Sequence, residues 1–466
     1  MDQLILLRGR ESRLQGEGVD RNMQSSKETL TGRARPEYLV QTSLEGISQK
    51  AKREEKYRFR DLYRQINYGA LKLAWKKLNK KAAPGVDDVT AKEFESNLEE
   101  NLNNILESLK GKRYHAKLVR RKYIEKGNGK KRPLGIPALS DKIVQRAVAD
   151  ILEAIYEQDF IEESYGYRPN KSAKGAVIDL TKELQFGKYN YIVEADIKGF
   201  FDNIDHEWLI KMLEERINDK QFIRLIKKWL KAGILEEDGK VIHPVTGTPQ
   251  GGIISPVLAN IYLHFVLDIW FKRVIMKKSV SDACIYRYAD DYVCAFRYKQ
   301  DAEMFYHEMQ KRLRKFNLEL SMEKTNIIIF SRFKEESGSF DFLGFEFRWG
   351  KSEKFGDIIK RRTSRKKLKK SIKNFTQWCK KMRNKRLKTI FKKLNSKLRG
   401  YYNYYGLINN GDSLKEFFNI SIKIMYKWLN RRSMNWDKFN EIVGWYGICK
   451  PRITEKTEAQ LQFDFV

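Results

Sequence analysis

The stretch YRYADDYVCAF, Tyr286–Phe296, places two aspartates between two runs of strand-forming residues. Aromatic and β-branched residues favour strands, whereas aspartate is depleted from strands and common in turns. The stretch therefore predicts a β-hairpin whose tip carries Asp290 and Asp291. Because the flanking residues are apolar and aromatic, we expect this hairpin to pack against a core.

A third aspartate, Asp196, ends another predicted strand in NYIVEADIKGFF. If the two strands are neighbours, Asp196 and Asp290 meet at one edge of a sheet. Converging carboxylates repel each other unless a cation lies between them, and hard oxygen ligands without histidine or cysteine suit Mg²⁺ or Mn²⁺. Two such ions about 3.5–4 Å apart can clamp the attacking and leaving oxygens of a phosphoryl transfer. Taken alone, the adjacent aspartates are equally compatible with a solvated turn.

The charge of the chain narrows the choice of partner. Its 466 residues carry a formal net charge of +32, and 41% of them are hydrophobic. Such an excess of positive charge indicates a polyanionic partner, first nucleic acid and second a membrane surface. No apolar run is long enough to span a bilayer, so we expect an intracellular protein without a membrane partner. The four cysteines show no C-x-x-C spacing, which argues against a zinc site built on paired cysteines.

Composition changes along the chain. Residues 1–55 are polar and basic, and we expect most of this arm to be poorly ordered unless a partner holds it. Apolar residues at helical spacing predict a helix within 57–78. Strand-like runs alternate with helices from 114 to 346, which predicts an α+β domain with an antiparallel sheet. Between 351 and 400, 21 lysines and arginines stand against two acids, with apolar residues at helical spacing. This last pattern predicts a separate basic helical bundle.

Two helix starts can be predicted from capping residues. Ser255 precedes Pro256 in SPVLANIYL, and we expect its hydroxyl to cap the helix. Asp205 precedes HEWLIKMLEER, so we expect it to act as a helix cap and not as a metal ligand. His206 is then an early helix residue with a structural role.

Several motifs follow one another along the chain. They are KKAAPGVDDVT, RRKYIEKGNGKKRPLGIP, SYGYRPNKSA, ADIKGFFDNID, GTPQGGIISPVLANIYL, YADD, LELSMEKTNIIIF, FLGFEF and KLNSKLRGYYNYYG. YADD alone is weakly specific, but the ordered set resembles the group II intron-encoded reverse transcriptase and maturase family. The resemblance implies a right-hand polymerase of the α+β class, with fingers and a palm built on an antiparallel sheet, followed by an all-α basic thumb.

The resemblance also implies a domain order. We expect a basic N-terminal extension (1–75), reverse transcriptase fingers and palm (76–348), a helical thumb or maturase domain (349–430) and a short C-terminal segment (431–466). Family members with a homing endonuclease carry a C-terminal module of paired cysteines and histidines. We therefore expect no endonuclease domain here, and we expect the last segment to be a remnant that contacts target DNA.

Catalytic roles follow from the resemblance. Asp196, Asp290 and Asp291 are implied to be catalytic and to hold two Mg²⁺ ions, with Mn²⁺ as a substitute, and the carbonyl of Ile197 is implied to contact a metal. Residues implied to bind the incoming deoxynucleoside triphosphate (dNTP) are Lys126, Arg132, Phe201, Gln250 and Lys324. Phe201 is the expected steric gate against a ribose 2′-hydroxyl, although one of Phe200 and Phe201 is expected to be a core residue.

A further set is implied to contact template or primer. It comprises Arg168, Gly251, Gly252, Lys366, Lys370, Lys392, Lys393 and Arg399. Arg168 is expected to support the fingers against the template, and the two glycines to let the backbone approach the base pair. The basic residues are expected to track an RNA–DNA duplex and structured RNA, with binding that weakens steeply as salt rises.

The implied function is that of an RNA-directed DNA polymerase of a group II intron, which also binds intron RNA, assists splicing and supports retrohoming. The implied partners are intron and template RNA, a DNA primer or target, and dNTPs; a homodimer is left open. The implied location is the bacterial cytoplasm, associated with the nucleoid, or an organelle. Two alternatives remain: a domesticated or defence-associated reverse transcriptase without an intron, and an RNA-binding splicing factor without polymerase activity. The intact aspartates argue against the second.

Overall fold

The computed structural model of the chain describes residues 36–125, 131–249, 251–334, 336–353, 355–430 and 435–455. The helices in these residues are α1 (Pro36–Arg53), α2 (Tyr68–Lys77), α3 (Ala91–Ser96), α4 (Leu98–Lys110), α5 (Leu139–Tyr156), α6 (Ala173–Phe186), α7 (His206–Glu214), α8 (Lys220–Leu230), α9 (Ser255–Leu263), α10 (Met276–Lys278), α11 (Lys299–Lys315), α12 (Arg365–Met382), α13 (Leu387–Tyr405), α14 (Gly411–Leu429) and α15 (Trp436–Tyr446).

The strands fall into three sheets. They are β1 (Val119–Glu125), β2 (Lys131–Ile136), β3 (Tyr191–Asp196), β4 (Ile234–Leu235), β5 (Val241–Ile242), β6 (Ala283–Tyr288), β7 (Asp291–Phe296), β8 (Asn326–Ile329), β9 (Ser339–Phe342), β10 (Phe345–Ser352) and β11 (Gly356–Thr363). Their orders are β2-β1-β4-β5, β6-β7-β3-β8 and β11-β10-β9. The second of these, which we call the palm sheet, pairs antiparallel throughout. This arrangement confirms the predicted α+β class.

The palm sheet is covered on both faces because side chains alternate along each strand. Val193 and Ala195 of β3 belong to the large core that includes α5, α9 and α11. Ile192 of β3 faces the other way and joins a second core with α6 and with the sheet β9–β11. The strand that ends at Asp196 is thus fixed by packing from both sides.

The sheet β9–β11 links the palm to the basic helices. The predicted strand FDFLGFEFRW forms β9 and β10, joined by a turn in which Leu343 and Gly344 have φ of 51° and 85°. The predicted domain boundary between residues 348 and 349 falls inside β10, which pairs with β11 along its whole length. The all-helical region begins only at α12.

Helices α12–α15 form the predicted basic bundle, which we call the thumb. Its core includes Leu368, Ile390, Phe391, Leu394, Leu398, Tyr402, Phe417 and Phe439. The segment 447–455 runs back along this bundle. The backbone N–H groups of Thr454 and Glu455 donate to the Gly406 carbonyl, and the Glu455 carboxylate lies 3.0 Å from the Arg361 guanidinium.

Within the arm 1–55, residues 36–53 form helix α1, whereas residues 1–35 lie outside the described part of the chain, where the expectation of poor order stays a prediction. Val40 and Ala51 are buried in the main core. The Arg216 guanidinium donates to the carbonyls of Ala51 and Glu54, both at 3.2 Å, near the end of α1. Tertiary contacts therefore stabilise a helix that its own polar composition does not predict.

The helix predicted within 57–78 is shorter than expected. It begins at Tyr68, where the Asn67 side chain accepts a hydrogen bond from the Ala70 N–H at 3.0 Å. Upstream, Leu62 and Ile66 are buried as their spacing suggested, but they flank a single 3₁₀ turn and not an α-helix.

The two predicted caps have different outcomes. Asp205 caps α7 by accepting from the Trp208 N–H at 2.9 Å, as predicted. Ser255 makes no cap hydrogen bond, because its hydroxyl is 2.6 Å from that of Thr248 and donates to the Pro249 carbonyl. Within the described ranges, no helix has the length and apolar character needed to cross a bilayer.

Candidate active site

The edge of the palm sheet brings together two of the three aspartates singled out in the sequence. Strands β3 and β7 pair antiparallel, with Asp196 directly opposite Asp291. Directly opposed residues on antiparallel strands point to the same face of a sheet, with Cβ atoms about 4.5–5.5 Å apart. The two acidic strands are therefore neighbours, which was the condition for Asp196 and Asp290 to meet, and the meeting of those two carboxylates stays a prediction.

Asp290 lies in the turn between β6 and β7. Tyr288 pairs with Asp291, so Ala289 and Asp290 form a two-residue turn. Ala289 has a φ of 57°, a left-handed conformation that hairpin turns normally give to glycine. Such a conformation costs on the order of 1–3 kcal/mol and persists only where surrounding contacts enforce it. The position of Asp290 is therefore imposed by its surroundings.

The carbonyl of Ile197 is directed toward this edge. The residues before and after Ile197 form hydrogen bonds with the segment 319–321, on the side away from β7. The Asp196 carbonyl accepts from the Ser321 N–H, and the Lys198 N–H donates to the Glu319 carbonyl, both at 2.8 Å. Because successive carbonyls of an extended chain alternate in direction, the Ile197 carbonyl faces the β7 side.

These oxygens match the ligand preference of a divalent cation. Among the described residues, no three side chains of the types His, Cys, Asp and Glu are grouped closely enough to hold a metal ion alone. Mg²⁺ is usually bound in enzymes by one or two carboxylates together with substrate phosphates and water. The paired carboxylates and the Ile197 carbonyl fit such a partial, all-oxygen ligand set.

Sequence reasoning missed a buried polar network under the Ala289–Asp290 turn. Arg287 in β6 is fully buried and forms two hydrogen bonds with Asp268, at 2.7 and 2.5 Å. Its remaining donor group contacts the side-chain oxygen of Asn260 at 3.1 Å and the carbonyl of Ala289 at 3.0 Å. The network therefore holds the strained residue of the turn directly.

A helical irregularity positions this network. The stretch after α9 contains two π-helical turns, His264–Asp268 and Phe271–Ile275. Such turns insert a residue into a helix and are frequent at functional sites. Burial lowers the pKa of His264 to about 4, so this imidazole is neutral next to the ion pair. In the sequence, Arg287 and Asp268 are charged residues that each stand within an apolar segment. Because buried charges need partners, this pattern was the available signal for the ion pair.

Both candidate gate residues are buried. Phe200 is 2% exposed and packs against Tyr262, whereas Phe201 is 7% exposed and lies edge-on to Phe200. The Phe201 carbonyl accepts from the Thr248 N–H at 2.8 Å. Both rings belong to the main core, so burial does not separate the two roles, and the gate role of Phe201 stays a prediction.

The loop that contains the TPQGG motif packs against strand β2. Gly251 has a φ of 111°, and a Cβ there would lie 2.7 Å from the Gly135 carbonyl oxygen of β2. A Cβ on Gly252 would lie 2.7 Å from the Ser255 hydroxyl. Gln145 of α5 accepts from the Ile253 N–H at 3.0 Å. Packing within the protein accounts for both glycines, and their contact with a base pair stays a prediction.

The residues expected around the triphosphate are described in part. Arg132 is exposed on β2, opposite Ile124 of β1. Lys126 and Gln250 lie outside the described residues, as does the side chain of Lys324, whose backbone ends a 3₁₀ turn. The dNTP contacts of these residues therefore stay predictions.

The position of Arg168 contradicts a direct contact with the template. Its side chain is 4% exposed and pairs with Glu157 at 3.0 Å. The same guanidinium donates to the carbonyls of Ile161 and Ser164, both at 2.7 Å. With Nε and one terminal nitrogen bound inside the protein, Arg168 fixes the backbone at Ile161 and Ser164.

The start of the thumb lies next to the acidic edge. Burial, together with Asp341 and Asp291, raises the pKa of Glu194 to about 7, and Lys366 at the start of α12 opposes this rise. Burial raises the pKa of Tyr404 in α13 to about 12, with a contribution from Asp291. Lys366, Lys370, Lys392, Lys393 and Arg399 are all exposed on α12 and α13. Their positions are compatible with nucleic-acid contact, which stays a prediction.

The chain is similar to known proteins over most of its described length. The reverse transcriptase (RNA-dependent DNA polymerase) family matches residues 124–347. Protein YkfC of Escherichia coli is 35% identical over 276 residues, which cover 52% of this chain and 72% of that protein. A telomerase structure from Candida albicans has a TM-score of 0.42 and 15% identity, covering 73% of this chain and 67% of that one.

A longer match is to the group II intron-encoded protein LtrA of Lactococcus lactis subsp. cremoris. The two are 34% identical over 415 residues, which cover 72% of this chain and 67% of LtrA. The intron 1 protein of the COX1/OXI3 gene of Saccharomyces cerevisiae is 32% identical over 259 residues, 55% of this chain and 30% of that protein. On this extent of identity, the chain belongs to the family of group II intron-encoded reverse transcriptases and maturases.

Proposed function

We propose that Asp196, Asp290 and Asp291 form the catalytic centre with which this reverse transcriptase joins a dNTP to the 3′-hydroxyl of a primer. The observation that carries the proposal is the register of the palm sheet, in which Asp196 stands opposite Asp291 with Asp290 in the adjoining turn. Two acids opposite each other at a strand edge, with a third in the adjoining turn, suit a reaction between phosphate-bearing substrates in a chain with a net charge of +32.

Asp196, Asp290 and the Ile197 carbonyl would hold two Mg²⁺ ions, with Asp291 less directly involved. When bound, such ions lower the pKa of the attacking hydroxyl and stabilise charge on the departing pyrophosphate. The protein's part is to keep the carboxylates at one place before the substrate arrives, so that the reaction needs little reorganisation.

Arg132 provides a planar guanidinium on the fingers that suits the triphosphate, and Lys126, Gln250 and Lys324 are expected to complete this site. Phe201 is expected to occupy the space that a ribose 2′-hydroxyl would need. To exclude a 2′-hydroxyl, the Phe201 ring must be held in place. The edge-on contact with the Phe200 ring supports this role, as does the hydrogen bond from the Thr248 N–H to the Phe201 carbonyl, which fixes the backbone.

The exposed basic side chains of α12 and α13 are expected to neutralise phosphates of template, primer and intron RNA. A chain of this kind would bind its own intron RNA to assist splicing and would copy that RNA during retrohoming, in the cytoplasm of a bacterium or in an organelle. Contact of the C-terminal segment 431–466 with target DNA belongs to the same proposal; of this segment the structure describes residues 435–455.

Primer extension on an RNA template tests the proposal. We expect the wild-type chain to incorporate dNTPs with Mg²⁺ and to lose incorporation when Mg²⁺ is removed by EDTA. The substitutions Asp290→Asn and Asp291→Asn together should abolish synthesis while changing the dissociation constant for RNA less than threefold. Full synthesis by the doubly substituted chain would refute the assignment of the catalytic centre. Lost RNA binding would show that the aspartates act on the fold instead.

A further inference from the structure

The loop residues 164–168, SYGYR, are held against the catalytic hairpin. Ser164 forms a parallel bridge with Arg287, and the Tyr165 N–H donates to the Arg287 carbonyl at 2.8 Å. A Cβ on Gly166 would lie 2.3 Å from the Ala289 nitrogen, so the loop backbone touches the catalytic turn. The Gly166 carbonyl accepts from the Asn260 side chain at 2.6 Å.

Tyr167 is the one residue of this loop that turns outward. Ser164, Tyr165, Gly166 and Arg168 are all buried, whereas Tyr167 is 51% exposed. Its backbone has a φ of 57°, a left-handed conformation that is uncommon for an aromatic residue. A glycine or an asparagine would adopt it more readily. With buried residues on both sides, this strained backbone holds the Tyr167 side chain at the surface beside the turn that carries Asp290.

The surroundings of the Tyr167 side chain point to a use for it. Partial burial raises the pKa of its hydroxyl, Asp290 raises it further, and Arg132 opposes the rise. The contact of Gly166 with Ala289 places Tyr167 beside the turn that carries Asp290, and the opposite effects of Asp290 and of Arg132 in strand β2 agree with that position. Tyr167 is thus near a residue expected to hold the catalytic metal and near a residue expected to bind the triphosphate.

We propose that Tyr167 is a nucleotide-binding residue of the polymerase site and packs its ring against the incoming dNTP. This proposal rests on the proposed function, since it places the nucleotide between Asp290 and Arg132. An aromatic face contacts a base or sugar through stacking and dispersion, without selecting among bases. Contacts with Arg287, Asn260 and Arg168 hold the backbone on which Tyr167 stands. Because this backbone is already fixed, little conformational entropy is lost when the nucleotide arrives.

Steady-state primer extension with Tyr167→Gly tests the proposal, because glycine tolerates the left-handed backbone and removes only the ring. We expect the KM for dNTP to rise about tenfold, with a smaller change in kcat and an unchanged dissociation constant for primer–template. Tyr167→Phe, which keeps the ring, should raise KM less than threefold. Tyr298→Ala removes another exposed tyrosine, 39% exposed and outside this region, and serves as the control with wild-type KM.

Two results would overturn the proposal: a wild-type KM in Tyr167→Gly, or a rise in the primer–template dissociation constant with KM unchanged, which would place the ring on the template. As a readout that does not need turnover, Tyr167→Gly should weaken capture of the next dNTP on a dideoxy-terminated primer by a similar factor. Absence of incorporation by the wild-type chain would instead count against the proposed function. The two failures are therefore distinguishable.

Discussion

Arg287 and Asp268 form a two-point ion pair that is completely shielded from solvent beneath the Ala289–Asp290 turn. Removing one partner of a buried pair leaves an uncompensated charge, which typically costs about 3–5 kcal/mol. We therefore expect Asp268→Asn to lower the free energy of unfolding by about that amount, as measured by urea denaturation. The exposed pair Lys299–Glu303 provides the control, since Glu303→Gln should change stability by less than about 1 kcal/mol.

A double substitution of Arg287 and Asp268 distinguishes their effect on stability from their effect on the position of the Ala289–Asp290 turn. Replacing both partners with apolar residues, Asp268→Leu with Arg287→Met, should restore part of the lost stability because no unpaired charge remains. It should not restore primer extension, since the Ala289 carbonyl has lost its donor and the turn that carries Asp290 is no longer held. An Asp268→Asn chain with the stability of the wild type would contradict the role given to the pair.

The hairpin and its acids could be predicted from the sequence because strand periodicity and turn preference are local properties. The pairing of β3 with β7 could be expected because both strands are apolar and can share a core. The Arg287–Asp268 pair could not be predicted in the same way. The π-helical turn at His264–Asp268 alters the helical register, so spacing along the chain does not show which residue faces Arg287.

Other differences from prediction have the same origin in tertiary contacts. Helix α1 depends on the carbonyl contacts of Arg216, a residue far away in the sequence. Ser255 resembles a helix cap locally, but the loop before it folds back so that Thr248 takes its hydroxyl. Arg168 has the composition of a nucleic-acid contact and yet is bound inside the protein. In each case the decisive contact comes from a residue or loop that local sequence patterns do not include.

Glu194 should make stability depend on pH. Burial and the acids Asp341 and Asp291 raise its pKa from 4.5 to about 7, and Lys366 is the cation that opposes them. The folded state therefore holds this proton more tightly than the unfolded state. The resulting stabilisation is present below about pH 4.5 and is lost as pH rises through 7. Without added metal, Glu194→Gln should be more stable than the wild type at pH 8 by on the order of 1–3 kcal/mol.

The comparison at two pH values isolates that effect. Near pH 4.5 Glu194 is largely protonated in the folded chain, so the difference in unfolding free energy between Glu194→Gln and the wild type should nearly vanish. The measurement is chemical denaturation in EDTA at both pH values. A difference of the same size at both would show that the amide acts through packing or hydrogen bonding and not through loss of a charge.

Phe201 should control the choice of sugar. Phe201→Val leaves space beside the ring position, and a ribose 2′-hydroxyl can then enter. We expect the preference for dNTP over ribonucleotide, measured as the ratio of kcat/KM values in primer extension, to fall at least tenfold. Phe200→Val is the matched control: Phe200 packs against Tyr262, so its loss should lower stability and leave sugar preference in place. Unchanged discrimination in Phe201→Val would remove it as the gate.

The thumb should dominate the salt dependence of RNA binding. Lys370, Lys392 and Lys393 are exposed on α12 and α13, and each phosphate contact contributes about 0.7–0.9 to the slope of log affinity against log salt. Changing all three to glutamine should lower affinity and reduce that slope by about 2. A control chain loses three exposed lysines at α8 instead, namely Lys220, Lys227 and Lys231. Equal reductions in the two chains would show a general effect of net charge, whereas a reduction confined to the thumb variant places the RNA backbone along α12 and α13.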